Sequence, residues 1–220
     1  MHKSFPFIIC LSLGLLGCAG TSPSPTSWED DGGDIAGRNA PPLASTPVPP
    51  GVFVIDTERS SVAFNIKKNG KPLAGTFETV VGSYSPADTD ASGTLYAAVE
   101  VVSVDTRHGI RDINLQAGAY FNTKNFPVVE FRGQVNATPD GGDTTEGTLT
   151  LLGVEQPLAV TLSRDEAAPG RLVHRGSFTI RRSDFGFTTG LANDAIGDRV
   201  ELELELHWVP APAVADAAAP

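Results

Sequence analysis

The sequence is poor in cysteine and has no apolar run long enough to span a bilayer. Its 220 residues include only two cysteines, Cys10 and Cys18, and the longest apolar stretch, Phe5 to Leu16, is shorter than a membrane helix. No cysteine follows residue 18, which excludes disulfides, thiol catalysis and cysteine-based zinc sites from the rest of the chain. A fold there must be stable on its hydrophobic core alone.

Basic residues are also scarce. The chain has 16 Lys and Arg against 26 Asp and Glu, a net charge of −10. Removing residues 1–17 takes away Lys3 and no acid, which leaves −11. Such an acidic chain is unsuited to binding nucleic acid or to electrostatic docking on anionic lipid.

Motifs of common catalytic and metal sites are missing. The sequence contains no G-x-S-x-G, no glycine-rich phosphate loop and no H-E-x-x-H. Beyond the start of the chain, histidine occurs only at His108, His174 and His207, never at metal-ligand spacing, and His207 lies on the polar face of its strand. We therefore predict no catalytic residue, no metal and no cofactor.

Two Arg–Asp pairs could be mistaken for acid–base groups. They are Arg111–Asp112 and Arg182–Asp184. Arginine does not deprotonate, and a carboxylate beside arginine becomes more acidic, away from the pKa that general catalysis needs. Salt-bridged structural roles are the better interpretation.

The first 18 residues have the pattern of an export signal. Lys3 precedes the apolar run, which ends in Leu15-Leu16-Gly17-Cys18. That ending resembles the lipobox of bacterial lipoproteins, which implies a signal peptide at 1–17 and a lipidated Cys18 that anchors the protein to a membrane. The residue after Cys18 is Ala19 rather than Asp, so in a cell with two membranes we expect the periplasmic face of the outer one.

Composition then divides the remaining chain. Residues 18–50 are rich in Ser, Thr, Pro, Ala, Gly and Asp, which predicts a disordered tether after the lipidated cysteine. Residues 210–220 are predicted to be a disordered tail for the same reason. Residues 51–209 are long enough to form one domain.

Within that domain the apolar residues alternate as in β-strands. "VELELELHW" is the purest case, with apolar residues from Val200 to Trp208 on one face and polar residues on the other. About eight such strands, separated by turn sequences, predict an all-β antiparallel fold, either a sandwich or a barrel. Residues 105–118 are the exception and predict a short helix with Thr106 or Asp112 near its start and Gly118 as its stop.

Several segments resemble the YceI-like family of exported bacterial polyisoprenoid-binding proteins. The longest is "SVDTRHGIRDINLQAGAYFNTKNFPVVEF" from Ser103 to Phe131. The others occur in family order: "FVIDTERSSVAFNIKK", "EGTLTLLGVEQP" and "RSDFG" at Arg182–Gly186. Arg59 and Lys68 depart from the family pattern, which often has histidine at both positions.

The resemblance implies a lipocalin-like eight-stranded antiparallel β-barrel with a short helix covering one end. It implies a tunnel for a hydrophobic small molecule, such as an isoprenoid, a quinone tail, a fatty acid or a fatty amide. Arg111, Asp112, Arg182 and Asp184 take structural roles. The predicted tunnel lining is Phe64, Ile66, Phe77, Leu95, Val99, Phe121, Phe131, Phe178, Leu202 and Leu204.

Two other functions stay open from the residues alone. A barrel filled by its own side chains would be a structural or interaction module, and a lipid-modifying enzyme could use the same barrel. The enzyme is the weaker hypothesis because no nucleophile with a matching base is evident in the sequence. A homodimer is also left open.

Overall fold

The computed structural model of the chain describes residues 51–86, 92–187 and 195–212. These residues form antiparallel strands, a short helix α1 (Gly109–Gln116), and 3₁₀ turns at Val101–Ser103 and Arg182–Phe185. The strands are β1 (Phe53–Ile55), β2 (Ser61–Lys68), β3 (Lys71–Phe77), β4 (Val80–Pro86), β5 (Ser92–Glu100), β6 (Val104–Asp105), β7 (Val128–Ala137), β8 (Asp143–Leu151), β9 (Val154–Ala168), β10 (Arg171–Arg181) and β11 (Ile196–Pro210).

The sheet closes into a barrel. Its order runs β1-β4-β5-β7-β8-β9-β10-β11, and β11 pairs again with β1. The remaining strands lengthen three of these beyond a bend: β2 continues β1 along β11, β3 continues β4 along β2, and β6 continues β5 along β3. The eleven segments therefore make eight barrel strands, which confirms the predicted barrel and excludes the sandwich.

Alternation along β11 shows why the sequence folds this way. Leu202 and Leu204 point into the barrel while Glu201 and Glu203 are exposed. The row ends at Trp208, which is completely buried. Burying one face of each strand in this way supplies most of the stability of such a fold.

The two-residue period of "GTFETVV" predicts a single strand with Phe77 and Val81 on one face. A break between β3 and β4 corrects this prediction. In the structure the strand is interrupted after Phe77, and Val80 is the buried residue, at 1% exposure. The interruption shifts the alternation by one position, and Ser103 accepts the amide of Thr79 at 3.0 Å there.

The helix is shorter than predicted. It begins after His108, whose Nδ1 accepts the Arg111 amide at 3.3 Å, and it ends at Gln116, before Gly118. His108 therefore caps the helix, where we expected Thr106 or Asp112. The prediction that a short helix covers one end of the barrel is confirmed.

The barrel extends just past the predicted domain boundary. Pro210 is the last residue of β11 and pairs with Phe53, and the amide of Ala211 donates to the carbonyl of Val52 at 2.9 Å. The predicted signal, Cys18 and the tether fall in residues 1–50, outside the described residues. So does the tail from residue 213 onward.

Candidate functional site

The barrel encloses an apolar cavity of about 470 Å³. This volume falls within the range of small-molecule sites, roughly 300–1,000 Å³. Nine of the ten residues predicted as tunnel lining do line it: Phe64, Ile66, Phe77, Val99, Phe121, Phe131, Phe178, Leu202 and Leu204.

The lining is built in layers that cross from strand to strand. In one layer Phe178 pairs in register with Leu202, and Leu202 pairs with Phe64. The next layer is formed in the same way by Ile180, Val200, Ile66 and Leu73. Because each row has a period of two residues, the layers form a continuous apolar wall around the cavity.

The wall depends on a glycine beside Phe64. Gly75 lies opposite Phe64 in the β2–β3 pair. A Cβ on Gly75 would lie 2.4 Å from Cζ of Phe64, far inside van der Waals contact. The absence of a side chain at Gly75 therefore gives the Phe64 ring its place in the wall.

Aromatic rings close the wall beneath the helix. Phe121 makes edge-to-face contacts with Phe77, at 6.0 Å between ring centroids, and with Phe187, at 5.3 Å. Phe187 and Tyr120 also line the cavity, although the sequence analysis did not select them. Phe187 directly follows the "RSDFG" segment, so its proximity to that family motif was the available signal.

The cavity opens at the end of the barrel near α1, which we call the mouth. Ile110 lines the cavity and is also 70% exposed, so the cavity reaches solvent beside the helix. Lys68 and His108 line it too and are exposed. Lys68 thus lies at the mouth, whereas Arg59, the other departure from the family pattern, is an exposed turn residue outside the lining.

The opposite end, the base, is filled by side chains. Leu95, the tenth predicted lining residue, lies here, outside the cavity lining. It is 5% exposed and belongs to the core that contains Tyr84 and Trp208. The prediction for Leu95 is corrected because its strand continues past the end of the cavity into this packed core.

A buried polar cluster, which we call the base cluster, is built on Asp143. Its carboxylate lies 2.8 Å from Nε2 of His174 and 3.2 Å from a guanidinium nitrogen of Arg164. The side chains of Asp143 and His174 are 1% and 0% exposed, while that of Arg164 is 35% exposed. A buried carboxylate requires partners of this kind, because an unpaired charge in the core is strongly unfavourable.

Burial lowers the pKa of His174, and the nearby Asp143 carboxylate opposes that shift. Asp143 is already paired with Arg164, so a protonated His174 would place a second cation in the core. The imidazole is therefore neutral at physiological pH and its Nε2–H donates to Asp143. Burial, followed by the charge of Asp143, raises the pKa of the adjacent Tyr84.

Sequence reasoning missed the base cluster, since His174 was treated as an isolated histidine. Strand alternation carried the signal. Asp143 shares an inward row with Leu149 and Leu151, and His174 shares one with Phe178. A charged or polar residue in an inward row needs a buried hydrogen-bond partner. Each of these two rows supplies the partner of the polar residue in the other row.

The helix is attached to the barrel through Thr106. The Arg111 guanidinium donates from Nε to the Thr106 hydroxyl at 2.6 Å and from Nη2 to its carbonyl at 2.7 Å. Asp112 accepts from the Thr106 amide at 3.0 Å and from its hydroxyl. Slight burial alone would raise the pKa of the Asp112 carboxyl. The hydrogen bonds outweigh this effect, so the pKa of Asp112 lies below its usual value. Structural roles were predicted for both residues, and in the structure both bond Thr106.

In the second predicted pair, Arg182 and Asp184 contact different parts of the barrel. Arg182 donates from Nε to the carbonyl of Gly197 at 2.9 Å and from Nη2 to that of Ile196 at 3.0 Å. These bonds fix the first residues of β11. Asp184 contributes its backbone carbonyl, which accepts a hydrogen bond from the side-chain Nε2 of Gln156 at 2.9 Å.

In the part of the chain that the structure describes, no three His, Cys, Asp or Glu residues are grouped to hold a metal ion. No helix among residues 51–86, 92–187 and 195–212 is long and apolar enough to cross a membrane.

Comparison with known proteins agrees with this geometry. A UPF0312 protein of Shewanella sp. (strain W3-18-1) is 29% identical over 71% of this chain and 86% of its own length. Among solved structures, BcnA of Burkholderia cenocepacia superposes with a TM-score of 0.64 at 22% identity, over 70% of this chain and 98% of BcnA. A polyisoprenoid binding domain from Saccharophagus degradans, implicated in plant cell wall breakdown, gives a TM-score of 0.60 at 18% identity, over 74% of this chain and all of that domain.

The family assignment follows from a match that covers most of the chain. The YceI-like domain matches residues 53–208, which run from the start of β1 to Trp208 in β11 and include the helix at the mouth. The chain therefore belongs to the YceI-like family.

Proposed function

We propose that this protein binds an isoprenoid or another long-chain amphiphile in the barrel cavity and shields it from water, for transport, storage or stress protection. The observation that carries the proposal is the cavity itself: about 470 Å³, walled by apolar rows and open at the mouth. The fold shared with a polyisoprenoid binding domain supports it.

The physical driving force is burial of the ligand's chain. Each buried CH₂ contributes about 0.8 kcal/mol, so a long chain needs few polar contacts to bind tightly. A wall of Phe, Leu, Ile and Val side chains provides this without directional bonds. The wall suits a flexible apolar chain better than a polar metabolite.

We propose that the protein acts by binding and not by catalysis. Among the described lining residues there is no Ser or Cys to serve as a nucleophile. The buried His174–Asp143 pair lies at the base, outside the lining, and has a structural partner in Arg164. A barrel that only supports other interactions is the second candidate, and an empty protein would favour it.

Mass spectrometry of organic extracts tests the binding proposal. The chain from Ala19 onward, made without its signal and purified without detergent, should release an isoprenoid or acyl species close to one per protein. A protein that is empty and also takes up neither added quinones nor fatty amides would contradict the proposal.

We further propose that Cys18 carries the lipid anchor and that residues 19–50 hold the barrel at the periplasmic face of the outer membrane. The supporting observation is the Leu15-Leu16-Gly17-Cys18 sequence followed by Ala19. In fractionated cells the parent should be found with the membranes and a Cys18→Ala variant should not. If the two chains fractionate alike, the anchor is refuted.

A further inference from the structure

The charged residues at the mouth are unusual for so acidic a protein. The chain has a net charge of −10, yet its cavity is lined by Lys68, Arg111 and Arg182, with His108 beside them. Among the residues that the structure describes, the lining includes one acidic residue, Glu130.

Glu130 does not offset these cations, because its side chain is engaged elsewhere. Its carboxylate lies 3.0 Å from the guanidinium of Arg132, which in turn stacks 4.4 Å from the centre of the Tyr96 ring. The next residue, Phe131, lines the cavity with its ring, and successive strand residues point to opposite faces. The Glu130 carboxylate therefore lies on the outer face of the barrel.

Lys68 reaches the mouth by strand alternation, and Arg182 reaches it as the first residue of the 3₁₀ turn after β10. Lys68 ends the inward row of β2 that contains Phe64 and Ile66, and Arg182 directly follows the inward row of β10 that ends at Ile180. Both cations therefore continue apolar walls of the cavity.

The two cations also share a neighbour. Lys68 pairs in register with Ile196, and Arg182 donates to the carbonyl of Ile196. Burial lowers the pKa of Arg182, and the charge of Asp198 opposes this shift. Asp198 itself accepts from the amide and hydroxyl of Ser183, at 2.9 and 3.0 Å.

The third cation approaches from the helix. Arg111, a lining residue, donates two of its five N–H groups to Thr106, which fixes the position of its guanidinium. The carboxylate of Asp112 bonds the same threonine and is absent from the lining. Cations from β2, from the 3₁₀ turn that follows β10 and from α1 thus line one opening.

We propose that this ring of cations selects ligands with an anionic head, a carboxylate or a phosphate on a long apolar chain, over neutral ligands of the same chain. The inference rests on the binding function proposed above and names the ligand class of that site. A charged head accepts stronger hydrogen bonds from Lys and Arg than a neutral head does. The tail then lies along the apolar wall.

Matched ligand pairs test the inference by equilibrium dialysis at pH 8 with the chain from Ala19 onward. Oleate is compared with oleamide, and farnesyl phosphate with farnesol, so that each pair differs only in the head and the two anions distinguish carboxylate from phosphate. At least one anion should bind about tenfold more tightly than its neutral partner. Raising the salt concentration should reduce that preference.

The decisive variant is Lys68→Glu, and its control is Lys67→Glu. Both change the charge equally at adjacent positions of β2, but only Lys68 lines the cavity. Lys68→Glu should weaken binding of the preferred anion roughly tenfold more than it weakens binding of the neutral partner. Lys67→Glu should leave both affinities within about twofold.

The outcomes separate the two proposals. If the charged and neutral members of each pair bind equally, or if the preference for the anion survives Lys68→Glu unchanged, the assignment of the head group to this ring is overturned while the binding function stands. If none of the four ligands binds, the binding function itself fails.

Discussion

Replacing Asp143 with alanine should lower the free energy of unfolding by about 3 kcal/mol. The variant leaves His174 and Arg164 without the carboxylate that both contact, at 2.8 and 3.2 Å. His174 is completely buried, so its Nε2–H loses its carboxylate partner within the core. The Arg164 side chain is 35% exposed and can partly turn to solvent. The expected loss of unfolding free energy therefore lies at the lower end of the range for a broken buried ion pair.

Denaturation in urea, followed by circular dichroism, measures this loss, and Asp165→Ala is the matched control. Asp165 also forms an ion pair, at 2.6 Å to Arg175, but both side chains are largely exposed, at 61% and 43%. Water already screens that pair, so its removal should leave the unfolding midpoint nearly unchanged. Equal losses in the two variants would show that the base cluster has no special structural role.

Replacing Phe64 with aspartate should reduce binding of a long-chain ligand by at least about 100-fold. The substitution removes a ring from the middle of the apolar wall, where the centroids of the Phe64 and Phe77 rings are 5.6 Å apart. It also puts a carboxylate beside the bound chain. Phe131→Asp tests the same idea from β7, on another part of the wall. Binding is measured by equilibrium dialysis with a labelled quinone or fatty amide.

The control for this experiment is Asn65→Asp. Asn65 is adjacent to Phe64, is exposed and lies outside the lining, so the added charge falls on the outer face. The affinity of the Asn65→Asp variant for the labelled ligand should match that of the parent. Circular dichroism should show that each variant tested is folded. Equal loss of binding in Asn65→Asp and Phe64→Asp would refute the assignment of inner and outer faces.

Much of the barrel could be predicted because its strands alternate so regularly. Val200 to Trp208 and Val62 to Ile66 have the two-residue period of strands with one buried face, and the structure places them there. The interruption after Phe77 could not be predicted in this way. At the interruption the backbone amide of Thr79 donates to the hydroxyl of Ser103, a residue that is distant from Thr79 in the sequence.

Part of the candidate site could also be predicted from the alternation of apolar residues along the strands. Phe64, Phe131 and Leu204 were identified as inward-facing because each lies in an alternating run. Leu95 lies in such a run too, but alternation does not show where along a strand the cavity ends. That limit is set by bulky residues of other strands, among them Trp208.

By itself the sequence determined that the domain is all-β, that each strand has one apolar face, and that no thiol or disulfide is available beyond residue 18. These are local properties, set by residue type and by a period of two. Only the tertiary structure decided which inward residues meet. It brought Asp143 to His174, 31 positions away, and placed Lys68 and Arg182 on either side of Ile196. Closing the barrel fixes these contacts, because the register between strands aligns residues that are far apart in the chain.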